Sequence, residues 1–594
     1  MICLPVLLLL CQLATIKAGN VSPLELQDKP NVTPPPHPAP RRAQITASHN
    51  NSGFVYAKDG ELYLGNRLFK FRGFAGPTLL DGTVFENTDL IKSVAGFATG
   101  VTRCYTLKVA NDMFGRVTTA TDAHITGWDK AAQDWTYNEV KWRQMDQALA
   151  IAADYKVKII FPLINQDYGD DSSDWVGNYI DLIRHRFNIS DYATAQLKVD
   201  WFTDRRIRDD FKKIIKKFLT RKNTVNGRIY GSDDTFLAFE TGNEMNWANI
   251  TVNNAGNNNS KTTNISLTRK PFQSLFVRMS FSTLSQLIIC RNRLPDTRPA
   301  PAEWTTDIAR YIKSFAPKIL VMDGSLLNAQ AKKYGKVFVI GEHGFYNTVA
   351  SWAQAYKTIT CAGALGWSIR PHAEINGFET HSESGSTFSY HLPGWPNSTA
   401  ANFDPREAGI VRLTYEASFQ VLNKPVGQYP VPDAPFPYFA TNGSDTGISW
   451  KGAAWAQHYE IWGAAIHDKG YVKVAGPVYD NVDAGDLFIP IHPPSPTSPL
   501  EIPFKPTVNV NLDVWQDAKW VEHATVKRSM QDIMALPLLK RDYIPQASHL
   551  VRRKTASHHS SGNSKGGWYI VRGVSVNGIP GDFSKDVYIP YSLA

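Results

Sequence analysis

Two glutamates stand where apolar stretches of the chain end, and carboxylates so placed can act as acid, base or nucleophile. The first stretch is Phe236-Leu-Ala-Phe-Glu-Thr-Gly-Asn-Glu244 and the second is Val337-Phe-Val-Ile-Gly-Glu342. Each reads as a buried strand. A carboxylate at the carboxyl end of a buried parallel strand sits at the rim where α/β folds build their active sites. Two of them on different strands can flank one acetal bond. One would protonate the departing oxygen while the other captures or stabilises the anomeric carbon. They need different pKa values, hence different surroundings. Gly341 and Gly344 allow a sharp turn or a close approach to a ligand beside the second glutamate. Either segment alone reads more readily as a cap or a surface pair; the two together, in this order and at strand ends, point to a site.

The elements that must position them are legible as a period. Apolar runs at 68–74, 100–107, 157–164, 236–239, 319–322, 337–340 and 362–367 alternate with amphipathic helices. One helix shows Met145, Ala148, Leu149 and Ala152; another shows Ile207, Phe211, Ile214, Ile215, Phe218 and Leu219. Such alternation over 53–424 predicts an α/β fold, a (β/α)8 TIM barrel. The runs number seven rather than eight. Between Asp323 and Lys336 there is room only for a short helical turn, so the sixth strand is not found and the barrel reads as incomplete. Residues 250–302 fit neither period. They read either as a long active-site loop or as sequence foreign to the mature message, such as a retained intron.

The flanks differ in composition. Residues 1–18 form a short apolar segment followed by small residues, the pattern of a secretory signal peptide. Residues 19–52 are rich in Pro, Asn and Ser and read as a disordered linker. Five prolines between Pro425 and Pro437 mark a second linker. Short alternating segments then predict an all-β sandwich over 425–594. Ile448-Ser-Trp450 and Tyr569-Ile-Val-Arg-Gly-Val-Ser-Val-Asn-Gly578 make it resemble a fibronectin type III module. A Pro-rich, then basic, Ser/His-rich stretch at 488–565 reads as a disordered insertion.

Composition excludes several classes. Of 594 residues, 43% are hydrophobic and 20% charged, the balance of a folded protein. The net charge of +9 resides partly in Arg205-Arg206-Ile-Arg208, Lys212-Lys213-Ile-Ile-Lys216-Lys217 and Arg552-Arg553-Lys554. These read as solvated faces, with no nucleic-acid motif beside them. No later stretch is long and apolar enough for a membrane anchor. Sequons at Asn31, Asn50, Asn188, Asn249, Asn258, Asn264, Asn397 and Asn442 favour a secreted, extracellular glycoprotein. Beyond the signal, Cys104, Cys290 and Cys361 allow at most one internal bridge. No spacing suggests a metal site, and neither cofactor nor partner protein is expected: the chain reads as a monomer. The 16 Trp and 24 Tyr serve either core packing or stacking on sugars.

Three segments make the chain resemble a known family. Thr241-Gly-Asn-Glu-Met245 resembles the strand-four motif of clan A glycoside hydrolases, and Val339-Ile-Gly-Glu-His-Gly344 resembles their strand-seven motif. The stretch from Asp200-Trp-Phe-Thr-Asp-Arg to Glu244 is similar to the endo-β-1,4-mannanases of glycoside hydrolase family 5. The resemblance covers about residues 60–420. It implies a secreted retaining enzyme acting on internal β-1,4 bonds of mannans, with Glu244 as acid/base and Glu342 as nucleophile, ~5–5.5 Å apart. It also implies that Asn243 holds the sugar 2-hydroxyl, that Arg103 orients the nucleophile and that Trp367 floors the cleft, with Asn165 and Trp247 on its wall. Arg103 and Trp367 would otherwise read as a structural ion pair and a core residue. The family's sixth strand carries a His and a Tyr, the Tyr touching the nucleophile, and has no match here. A β-1,4-glucanase of the same barrel and a catalytically impaired carbohydrate-binding barrel are the alternatives.

Overall fold

Seven parallel strands form the framework of the computed structural model. They are β1 (Phe71–Ala75), β2 (Val101–Arg103), β3 (Lys158–Pro162), β4 (Phe236–Glu240), β5 (Leu320–Met322), β6 (Val339–His343) and β7 (Gly363–Trp367). The structure describes residues 53–174, 176–247, 298–324, 335–374, 377–383, 386–395, 403–442, 445–479, 487–491 and 566–591. The segments read as signal peptide and first linker, most of the 250–302 stretch and most of the 488–565 stretch read as an insertion lie outside them. So does most of the short segment between Asp323 and Lys336.

The strands pair in the order β5-β4-β3-β2 and β6-β7-β1. Between β1 and β2, Gly76 donates its amide to the Arg103 carbonyl at 3.0 Å, and the Thr102 hydroxyl donates to the Phe74 carbonyl at 3.0 Å. Neighbours therefore run β5-β4-β3-β2-β1-β7-β6. Among the described residues β5 and β6 do not pair, and no eighth parallel strand lies between them.

Alternation sorts the two faces of these strands. Phe71, Ala75, Val101, Ile160, Leu237, Ala238, Leu365 and Trp367 meet in one inner cluster. Ile159, Phe161, Phe236 and Phe239 turn outward into a larger one with the helices. The register slips between Ile159 and Ile160 against β4, which lets Phe236 and Phe239 share the outer face.

The helices include α1 (Val84–Ala95), α2 (Glu139–Asp154), α3 (Tyr179–Phe187), α4 (Tyr192–Lys198), α5 (Arg205–Thr220), α6 (Ala302–Phe315), α7 (Val349–Thr358) and α8 (Glu407–Gln420). Thr83 and Glu86 form a capping box at the start of α1. In α5 the expected apolar stripe from Ile207 to Leu219 is buried. Its basic face is not simply solvated. Lys212 binds Asp307 at 2.7 Å, Lys213 binds Asp210 at 2.6 Å and Lys217 binds Glu139 at 2.9 Å.

Beyond α8 the chain becomes antiparallel. One sheet joins β8 (Phe436–Asn442), β9 (Asp445–Lys451) and β12 (Phe488–Pro490). The other joins β11 (Val472–Val478), β10 (His458–Ala464), β13 (Gly566–Val574) and β14 (Val587–Pro590). Ile448, Trp450, Tyr459, Ile461, Ile489, Tyr569, Val571 and Ile589 fill the space between them. Two assignments from sequence shift. Phe436 and Pro437, read as linker, pair with Lys451 and Trp450. Phe488–Pro490, read as the start of the insertion, pairs with Gly447–Ser449. In both places prolines mask an edge strand. Trp455 fixes these sheets to the α/β part, its ring 5.7 Å from Phe97 and 5.5 Å from Tyr415.

Candidate active site

Arg103, the last residue of β2, organises the carboxyl end of the strands. Its Nε donates to Glu240 Oε2 at 2.8 Å, its Nη1 to Glu342 Oε1 at 2.5 Å and its Nη2 to Asn243 Oδ1 at 2.7 Å. The arginine side chain is 3% exposed, Glu240 7% and Glu342 14%. Burial works against the guanidinium charge, but the two carboxylates outweigh it and raise its pKa above the ordinary value. Gly341 leaves room for this side chain. A Cβ there would stand 3.1 Å from Arg103 Cδ, so this glycine serves the arginine rather than a ligand. Gly344, at φ +129°, packs against the Trp352 ring.

The strand that leads to Glu244 ends earlier than its sequence suggests. β4 stops at Glu240, whose side chain is buried, and Glu244 follows on a turn. Glu244 adopts φ 49°, in the left-handed region. A non-glycine residue held there costs about 1 kcal/mol or more, and such strain collects at functional sites. The Gln166 amide donates to Glu244 Oε2. Asn243 donates its amide to Asn165 Oδ1 at 2.9 Å, and Asn165 donates to the Tyr168 hydroxyl at 2.7 Å. The Tyr105 and Tyr168 hydroxyls share a hydrogen bond of 2.9 Å. Burial, then Tyr168 and the charges of Glu342 and Glu244, push the Tyr105 phenol well above its ordinary pKa, so it stays protonated beside both carboxylates.

Trp367, at the end of β7, is 7% exposed, and its ring lies 6.1 Å from Tyr105 and 6.0 Å from His381. Trp247 lies in a two-residue strand, Asn246–Trp247, paired with Arg298–Pro299. His343 follows Glu342 but turns outward among Tyr346, Trp352 and Tyr356. Burial lowers its pKa to about 3, so it is neutral. Among the described residues, the potential metal-ligand group is His467, Asp468 and Asp586, on the antiparallel sheets and not beside the glutamates.

Of the residues expected from sequence, the structure brings Arg103, Asn165, Asn243 and Glu342 into one hydrogen-bonded network, with Glu244 beside it through Gln166. The expectation missed Glu240, Gln166, Tyr105 and Tyr168. Glu240 could have been found, since it is the residue at which the apolar run Phe236–Phe239 gives way. Nothing local marks the other three.

No protein-family model matches the chain. Mannan endo-1,4-β-mannosidase 1 of Solanum lycopersicum is 27% identical over 205 residues, 33% of this chain and 44% of that protein. Mannan endo-1,4-β-mannosidase 1 of Arabidopsis thaliana is 26% identical over 121 residues, 20% of this chain and 26% of that protein. The chain thus spans less than half the length of either relative. Among solved structures, an endo-1,4-β-mannanase from Rhizomucor miehei aligns at a TM-score of 0.40 and 16% identity, covering 62% of this chain and 99% of that one. In sequence, over about a third of its length, the chain is mannan endo-1,4-β-mannosidase-like.

Proposed function

We propose that the chain is a retaining endo-glycosidase that hydrolyses internal β-1,4-mannosidic bonds, built on a (β/α)8-type barrel. The observation that carries this reading is the reach of Arg103 to both Glu342 and Asn243, the neighbour of Glu244. One cation thereby ties a carboxylate on β6 to the turn that holds a second carboxylate. Glu342, ion-paired and oriented by Arg103, attacks the anomeric carbon. Glu244 protonates the leaving oxygen, then draws a proton from the water that releases the glycosyl-enzyme. Asn243, held by Arg103 and Asn165, is set to bind the sugar 2-hydroxyl, and Trp367 to lie under the sugar ring. The sequence similarity to plant mannan endo-1,4-β-mannosidases supports mannan as substrate. The N-terminal apolar segment and the sequons, among them the exposed Asn188, support secretion as a glycoprotein, and the two antiparallel sheets packed around Trp450 and Tyr459 support a fibronectin type III-like sandwich.

The test is reducing-end release from galactomannan against carboxymethylcellulose. Galactomannan is expected to be cut, and Glu244→Ala or Glu342→Ala to remove at least 10³-fold of the turnover with melting temperature preserved. Undiminished turnover in either variant would sink the assignment. A second reading, a barrel that binds mannan without cutting it, is favoured by the unpaired β5 and β6 among the described residues. Binding without any release of sugar would select it.

A further inference from the structure

Arg103 carries one positive charge, and two carboxylates divide it. Glu240 takes its Nε at 2.8 Å and Glu342 its Nη1 at 2.5 Å, while Asn243 takes the remaining edge at 2.7 Å. With both acids ionised the trio is net negative in a place with little water to screen it. The Glu240 side chain is buried. Its Oε1 lies so close to the backbone of Gly324 that a Cβ there would come within 2.9 Å of it. The charged and titratable groups that face it are Arg103 from β2, Cys104 just after it, Glu342 from β6, and Asp323 just after β5. Burial raises the Glu240 pKa; Arg103 pulls it back, and Glu342 and Asp323 push it further up. Burial likewise raises the Cys104 thiol, which is therefore neutral. Among the described residues no other cation binds Glu342.

We propose that Glu240 is a positioning residue for the reaction, sharing Arg103 with Glu342 so that the nucleophile is held in place without being fully neutralised. This rests on Glu342 being the nucleophile. A carboxylate that alone faced Arg103 would be a weaker base and a weaker nucleophile, because the cation would stabilise its charged ground state. The Glu240 carboxylate, 7% exposed, is held by Arg103 Nε at 2.8 Å on the same guanidinium that holds Glu342. Its influence passes through the guanidinium.

The coupling is read by infrared titration of the Glu240 carboxyl band in the full-length protein, assigned by subtracting the Glu240→Gln variant. Glu342→Gln removes a charge that holds the Glu240 pKa up and is expected to lower the Glu240 midpoint. On galactomannan, Glu240→Gln should move the acid limb of the pH profile to lower pH and reduce kcat about tenfold with little change in KM. Glu240→Asp, which keeps the charge, should restore the limb. A Glu240 that merely fills space would keep its midpoint in Glu342→Gln, and that result overturns the proposal. Should Glu240→Gln fail to fold, the Glu240 band in Glu342→Gln, at the more exposed partner, decides alone. Should the wild type cut no mannan, the functional reading falls, while the Glu240 midpoint still reports whether the acids are coupled.

Discussion

Under the proposed function, the Gln166 amide is set to tune the acid/base. A general acid must hold its proton at working pH, yet Gln166 donates to Glu244 and so favours its charged form. Replacing it with Leu removes that donor. Gln166→Leu is expected to disfavour the ionised form of Glu244 and so carry the basic limb of kcat/KM to higher pH. The acid limb should stay where it is. A pH profile of both limbs checks this, and a shift of the acid limb alone would contradict it. His343, despite sitting next to Glu342, is predicted to contribute to neither limb, since it is neutral and faces away.

At the scale of elements, the site depends on how tightly the turns after β4 and β5 meet. A Cβ on Gly324 would stand 1.9 Å from the Gly242 carbonyl oxygen, a backbone atom that cannot swing aside. Gly324→Ala is expected to force these turns apart, cost about 1–3 kcal/mol and loosen Glu240 from Arg103. Chemical denaturation together with turnover measures both effects. Unchanged stability and unchanged activity would show that the turns yield freely. Much of this architecture was legible in the sequence because buried parallel strands are continuous apolar runs and the helices between them repeat at 3.6 residues. All seven runs are strands. What was not legible came from contacts between distant segments. Tyr105 and Tyr168 meet only because β2 and β3 lie side by side. The end of β4 was misread because Thr241 and Gly242 separate one glutamate from the next without a change in composition. The edge strands at 436 and 488 were hidden by the prolines around them.

At the scale of the molecule, acids gather where the antiparallel sheets meet the α/β part. Glu374 binds Lys451 of β9 and accepts from the Thr83 hydroxyl at 2.7 Å, while its amide donates to Glu86 at 2.7 Å. Glu379 lies nearby, its carboxyl pushed up to about 7 by burial and by the charge of Glu86. In the unfolded chain it would ionise near 4.3. The unfolded state therefore loses its proton first as pH rises, and folding loses stability between about pH 4.5 and pH 7. Below that window the neutral acid costs nothing; above it the penalty, roughly 3–4 kcal/mol, is complete. Glu379→Gln is expected to flatten this slope, raising the denaturation midpoint at pH 8 while leaving it unchanged at pH 4.5. Equal slopes in wild type and variant would exclude Glu379 as the source.

The left-handed backbone of Glu244 has a consequence for the protein's history. Asparagine and glycine occupy that conformation more comfortably than glutamate does. Selection for robustness alone would drift toward them and silence the acid. Under the proposed function, Glu244→Gly would therefore relax the turn and abolish turnover in the same substitution.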